Sequence, residues 1–296
     1  MLVLVLLLIF SLVYVKLFNS RKYSIEIKGV TRQYLLHAPN STSKMPLIIA
    51  LHGYTDNPRL MKFYSGLSRK SNKEKFIVAY PYGTRNKEDN NLSWNGGSCC
   101  GNGVLNNVDD VSFINNLTDE LVKKYNIDPK KIYVVGFSNG ALLAYRIAAE
   151  TPERYNAFAI VSGSIGGKVY KNLPEFNISK PKKPVSILMM HGEKDVRISY
   201  FGGENQKKDG SFKSFEESTN FWIENNNCIN PKTMDNSKVN HKSYLKCDNN
   251  VKTETYTVKN SGHIWPGGIL ELVKNLKGQT VSATDIIWDF FKGANK

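Results

Sequence analysis

Residues 131–150, KIYVVGFSNGALLAYRIAAE, decide the fold. The run IYVV at 132–135 has the character of a strand covered on both faces. ALLAYRIAAE at 141–150 is dominated by strong helix formers. Between them stand Gly136, Ser138 and Gly140, so the chain must turn sharply from strand into helix with a serine at the apex. Glycines on either side let neighbouring backbone approach without a Cβ in the way. A serine on such a turn is exposed at the carboxyl edge of a sheet, beside a helix N-terminus that favours developing negative charge.

The same alternation continues outward. Residues 46–52 (PLIIALH), 76–80 (FIVAY), 158–162 and 184–191 (PVSILMMH) read as further buried strands, and 251–258 as an alternating one. Residues 23–28 and 32–37 read as two antiparallel strands turning at Gly29. Helical stretches are expected at 110–125, 139–151, 214–225 and 284–292. The pattern predicts the α/β class, with a mostly parallel central sheet and helices on both faces, and the serine turn within it points to an α/β-hydrolase fold. Residues 200–213, rich in Gly, Lys and Asn, read as a surface loop, with a lid over the site as the alternative. No repeat or composition shift marks a second unit, so 23–296 are expected to form one catalytic domain.

A serine hydroxyl needs a base to take its proton. Of five histidines, His37 falls in an early strand, and His52 and His191 end buried strands, where a hydrogen-bonded structural role is expected. His241 lies in a polar stretch. His263 follows the last strand in SGHIWPGG (261–268) and is the expected base, by elimination and by the chain order Ser, acid, His. The acid belongs at the end of the strand at 184–191. Asp195 is favoured there over Glu193 because it stands further out in the loop, and its role is to orient the imidazole rather than to accept its proton. Donors for an oxyanion are expected from the N–H of Asn139 and from the loop after residue 52, with Tyr54 first and Gly53 second.

Lys and Arg number 40 against 26 Asp and Glu, a formal charge of +14. The densest basic cluster is only Lys180, Lys182 and Lys183, and no nucleic-acid motif accompanies it, so a nucleic-acid partner is not expected. Met1 to Val15 form an apolar run, short for a membrane span and long enough for a signal peptide. Sequons at Asn40, Asn91, Asn116 and Asn177 and an even count of four cysteines favour secretion. Residues 1–22 are therefore expected to be a signal peptide, or an N-terminal anchor if retained, the one case that would bring a membrane in. Cys99 and Cys100 are adjacent; a vicinal disulfide, free thiols and pairing with the other two cysteines all remain open.

Six motifs together resemble the secreted esterases that include feruloyl esterases and polyhydroxybutyrate depolymerase-like proteins. They are LIIALHGYTDNP (47–58), SWNGGSCCG (93–101), VDDVSFI (108–114), the 128–148 segment around the serine, HGEKDVRISY (191–200) and SGHIWPGG. The resemblance spans about residues 31–291. It implies a serine carboxylic-ester hydrolase with Ser138, Asp195 and His263 as triad and Asn139 and Tyr54 as oxyanion donors. It further implies that Trp94 and Trp265 line the substrate cleft, and that a disulfide joins Cys228 to Cys247. Neither cofactor nor metal is implied, and Asp109 and Asp110 would hold the Trp94 loop. The expected substrate is an ester on a plant cell-wall polysaccharide, with acetyl-xylan and polyester hydrolysis as alternatives, and the expected state is a monomer. A non-catalytic binding protein on the same fold is the remote alternative. One departure is Ile198, where such proteins commonly have proline.

Overall fold

Strand β1 (Lys22–Ile27) and strand β2 (Val30–His37) form a hairpin. Its two-residue loop, Lys28 and Gly29, has φ of 50° and 78°, the double positive φ that matches the twist of the flanking strands. The computed structural model that shows this describes residues 21–294 except 89, 171, 205–209 and 270–280. Of residues 1–22, expected as a signal peptide or anchor, 1–20 lie outside the described residues. Lys22, expected to belong to that segment, already pairs with Leu35 in the sheet.

The strands that follow are β3 (Met45–Leu51), β4 (Ile77–Pro81), β5 (Ile127–Phe137), β6 (Ala157–Val161) and β7 (Ser186–Gly192). The last three are β8 (Lys232–Asp235), β9 (Val239–Tyr244) and β10 (Thr253–Val258). Together they make one 10-stranded sheet in the order β1-β2-β4-β3-β5-β6-β7-β10-β9-β8. From β4 through β10 every neighbouring pair is parallel. An antiparallel pair closes each side. This is the α/β-hydrolase architecture: a mostly parallel central sheet with helices on both faces.

Alternation along the strands builds two cores. Leu47, Ile49, Val134, Ile160 and Met189 face one side, where they pack with α3 (Asp110–Lys124), α4 (Asn139–Glu150) and α5 (Phe215–Asn225). Ile48, Ala50, Val135, Ala159 and Met190 face the other, against α1 (Pro58–Ser65), α2 (Leu67–Glu74) and α6 (Ala283–Gly293). Both faces of the central strands are dry, which is why they read as continuous apolar runs.

Some elements escaped the sequence pattern. Helices α1 and α2 are short. The first is marked by its Asn57 cap, whose side chain accepts from the N–H groups of Arg59 and Leu60, and by Gly66 at φ 66°. Strand β8 is exposed throughout and carries no hydrophobic periodicity. The stretch at 200–213, expected as a loop, supplies Gly203–Glu204 and Ser211–Phe212 to a small 4-stranded sheet with Gly166–Lys168 and Phe176–Asn177. Residues 205–209 of it lie outside the described residues.

Candidate active site

The turn between β5 and α4 holds Ser138 at φ 55°, ψ −122°, a conformation that costs a non-glycine residue of order 1–3 kcal/mol and persists only where its surroundings enforce it. The enforcement is visible. Ser138 N–H donates to the Val161 carbonyl at 3.0 Å. A Cβ on Gly136 would lie 2.2 Å from the Gly140 carbonyl oxygen, and one on Gly140 would lie 2.4 Å from that of Leu51. Both positions therefore require glycine, as the sequence pattern implied.

His263 Nε2 stands 2.8 Å from Ser138 Oγ, and its Nδ1 stands 2.7 Å from Asp195 Oδ2. A carboxylate only accepts, so Nδ1 carries the ring proton and Nε2 presents its lone pair to the serine hydroxyl. Asp195 is 3% exposed. Its Oδ1 accepts from Arg197 N–H at 2.9 Å and Ile198 N–H at 3.1 Å. Burial alone would raise its pKa, but the bonds from His191 and His263 prevail and hold the carboxyl well below the usual carboxylate range. The three residues expected as a triad thus lie in one hydrogen-bonded chain. Glu193, the alternative acid, instead accepts from the Asn260 N–H.

His191 was expected only as a structural histidine. Its Nε2 lies 2.9 Å from the Ile198 carbonyl and 3.2 Å from Asp195 Oδ2. Both are acceptors, so Nε2 bears the proton and His191 gives the acid a second imidazole donor. The departure at Ile198 matters here as well: proline at that position would lack the N–H that Asp195 Oδ1 receives.

The loop after β3 passes directly over the nucleophile, since a Cβ on Gly53 would sit 3.3 Å from Ser138 Cβ. His52, fully buried, holds this loop. Its Nδ1 donates to the Gly53 carbonyl at 2.7 Å, and its Nε2 accepts from Gly83 N–H at 3.0 Å. Burial pushes its pKa down to about 4, against the opposing pull of the Gly53 bond. The trans peptide turns the Tyr54 N–H to the opposite side from that anchored carbonyl. Asn139 opens α4, where the first N–H groups of a helix have no intrahelical acceptor.

Asn139 does more than the sequence indicated. Its Oδ1 accepts from Trp94 N–H at 2.7 Å, and its Nδ2 donates to the carbonyls of Trp94 at 3.0 Å and Cys99 at 2.7 Å. The indole of Trp94 donates to the His52 carbonyl at 2.9 Å. Trp94 is 0% exposed and Trp265 4%, which corrects the expectation that they line the cleft. Trp94 is a strut beneath the site, and Trp265 packs on Tyr64 and Phe137 while its indole donates to Thr284. Asp110, buried, accepts from Asn95 N–H and from Arg32, each at 2.8 Å, so it does hold the Trp94 loop. Asp109 does not: it caps α3 through Ser112 N–H. Cys228 is joined to Cys247, and Cys99 to Cys100.

The family described as Phospholipase/Carboxylesterase matches residues 37–219. The chain is 24% identical over 266 residues to the bifunctional acetylxylan esterase/xylanase XynS20E of Neocallimastix patriciarum, covering 89% of this chain and 33% of that protein. It is 29% identical over 230 residues to feruloyl esterase B of Piromyces equi, covering 74% of this chain and 39% of that protein. The chain thus spans between a third and two fifths of the length of these relatives. Among solved structures, the acetyl xylan esterase from Aspergillus awamori shares the fold, with a TM-score of 0.60 at 16% identity over 92% of this chain and 99% of that one.

Proposed function

We propose that this chain, which belongs to the phospholipase/carboxylesterase family, is a serine carboxylic-ester hydrolase working through an acyl-enzyme. One observation carries the reading: the unbroken hydrogen-bonded chain Ser138–His263–Asp195 on a glycine-bounded strand-to-helix turn.

In this mechanism Ser138 Oγ attacks the ester carbonyl while His263 Nε2 takes its proton. Asp195 holds the imidazole in the Nδ1–H tautomer and stabilises the imidazolium. The N–H groups of Asn139 and Tyr54 receive the oxyanion; each such donor is typically worth roughly a hundred- to a thousandfold in turnover. The protonated His263 then gives its proton to the leaving alcohol. A water, deprotonated by the same nitrogen, releases the acid and restores the serine.

The substrate reading is an ester carried on a plant cell-wall polysaccharide, feruloyl-like in its acyl part. The similarity to an acetylxylan esterase/xylanase and to a feruloyl esterase supports it. So do exposed apolar side chains next to site residues: Tyr54, next to Gly53, is 39% exposed, and Val196, next to Asp195, 50%. With Trp94 and Trp265 buried, these are the surfaces offered to a planar acyl group. Secretion is the companion reading, supported by the disulfides Cys99–Cys100 and Cys228–Cys247 and the apolar start of the chain.

The test is hydrolysis of methyl ferulate, p-nitrophenyl acetate and a hydroxybutyrate oligomer by the wild type and Ser138→Ala. Cleavage by the wild type alone supports the assignment, and the preferred ester selects feruloyl, acetyl or polyester chemistry. A folded wild type inactive on all three, or a mutant as active as the wild type, removes it.

A further inference from the structure

Beside the site, at the same carboxyl edge of the sheet, lies a groove of about 370 Å³ with Lys22, Arg59 and Arg85 in its walls. Lys22 Nζ sits 5.1 Å from the centroid of the Tyr82 ring, and Arg85 donates to the Asn90 side-chain oxygen at 3.2 Å. An aromatic face and a neutral amide fix a cation without cancelling its charge. Arg59 donates to the Tyr82 hydroxyl at 3.0 Å, which sets its guanidinium in the same wall. The one acid lining the groove among the described residues is Asp56. Its carboxylate is turned onto its own loop, accepting from Asn57 N–H at 2.8 Å. Burial raises its pKa to about 6, so its opposing charge is weakened in mildly acidic solution.

The position is as informative as the charge. Tyr82 and Arg85 follow β4, and β4 lies two strands from β5, which delivers Ser138; at a typical strand spacing that is roughly 10 Å. A second estimate comes from the chain itself. Thr55, also in the groove wall, is two residues past Gly53, whose Cβ would lie 3.3 Å from Ser138 Cβ. With consecutive Cα atoms about 3.8 Å apart, Thr55 lies within roughly 12 Å of the nucleophile. A short oligosaccharide spans that distance. Asn57 and Asn90 line the same groove, chemistry suited to sugar hydroxyls.

We propose that this groove binds a carboxylate-bearing sugar of the molecule whose ester Ser138 attacks. The proposal rests on the hydrolase reading for its orientation: the acyl group enters at Ser138 and the acidic sugar lies on the alcohol side. Arginine and lysine recognise a carboxylate by charge-assisted hydrogen bonds, and the excess of 40 basic over 26 acidic residues steers anionic polymers toward the protein.

The experiment measures binding without turnover. Ser138→Ala is titrated calorimetrically with two xylo-oligosaccharides of equal length, one neutral and one carrying a glucuronate side group. The acidic oligomer is expected to bind about three- to tenfold tighter at low salt. That preference should shrink as salt rises and vanish when Lys22→Gln and Arg85→Gln are added. Should the double substitution fail to melt cooperatively, Arg85→Gln alone is expected to remove part of the preference. Equal affinity for the two oligomers, or a preference that survives the substitutions in folded protein, overturns the proposal. Because no ester is cleaved, a failure of the hydrolase reading appears separately, in the ester assays.

Discussion

Asn139 and Trp94 hold each other by two reciprocal hydrogen bonds: Trp94 N–H donates to Asn139 Oδ1 at 2.7 Å, and Asn139 Nδ2 donates to the Trp94 carbonyl at 3.0 Å. The residue that follows the nucleophile therefore clamps the loop that braces His52, and His52 fixes the loop over the nucleophile. Asn139→Ala leaves the buried Trp94 N–H without a partner, at about 1–3 kcal/mol, and takes one of two donors from each of the Trp94 and Cys99 carbonyls, which keep the Gly96 N–H. We expect a loss of about 2–4 kcal/mol in urea unfolding and a kcat at least tenfold lower. Asn139→Asp keeps the acceptor but loses both donor bonds and should recover little of either.

His191 and His263 both donate to Asp195 Oδ2. Removing one of them in His191→Phe takes away a bond that favours the charged carboxylate, so the Asp195 pKa should rise. A group with a depressed folded pKa contributes stability above its unfolded value and loses it as pH falls. The variant should therefore be less stable than wild type at neutral pH, with the gap closing only as the pH falls through the folded-state Asp195 pKa values of the two proteins, which for wild type lies well below the usual carboxylate range. Melting temperatures across that range test this; a pH-independent gap would assign His191 to packing alone. The acid limb of kcat/KM should move to higher pH in the same variant.

Two groups on the loop over the nucleophile oppose each other in their pH dependence. The His52 pKa is lowered to about 4, so the unfolded chain takes up the proton first and acidification from pH 6.5 toward 4 destabilises the fold. The Asp56 pKa is raised to about 6, so between its unfolded value and pH 6 the folded state holds the extra proton and acidification stabilises. The two contributions offset one another in wild type. Asp56→Asn should uncover the His52 contribution, a stability loss of up to about 3 kcal/mol between pH 6.5 and 4. His52→Gln should leave the opposite slope. Urea unfolding at half-unit pH steps distinguishes these outcomes from two parallel curves.

The Cys228–Cys247 disulfide ties the end of α5 to the segment between β9 and β10, its cysteines standing 19 positions apart in the chain. Nearby, Asn226 donates to the Val185 carbonyl just before β7 and to the Thr253 hydroxyl at the start of β10. This is the amino edge of the sheet, opposite the triad. Replacing both cysteines by serine should cost about 3 kcal/mol of stability while leaving kcat/KM within about twofold. A large loss of activity in protein that still melts cooperatively would contradict that separation.

Ser138, Asp195 and His263 were legible as a set because each sits where a strand ends, and strand ends are marked by local chemistry: an apolar run, then glycine and polar residues. His191 carried no comparable signal. It ends a buried strand as His52 does, and nothing local indicates that the chain folds back to bring Asp195 Oδ2 within 3.2 Å of it. Trp94 and Trp265 were misplaced for a related reason. A tryptophan near a catalytic motif fits a cleft or a core equally well by sequence, and their burial follows from β-strand and helix packing far along the chain. Strand β8, exposed throughout, escaped notice because it has no buried face to impose a period.

By itself the sequence determined the strand–helix alternation, the glycine-bounded turn at Ser138 and the order of serine, acid and histidine. These depend on residues adjacent in the chain, where backbone sterics and hydrophobic period act over a few positions. Tertiary structure alone decided the second imidazole on Asp195, the Asn139–Trp94 clamp, the burial of both tryptophans and the meeting of Lys22, Arg59 and Arg85 in one groove. His191 and Asp195 are four positions apart on one strand end and its loop; the others join residues from separate strands and loops. Their contacts are set by how the strands are ordered across the sheet, a property that short-range propensity and periodicity do not encode.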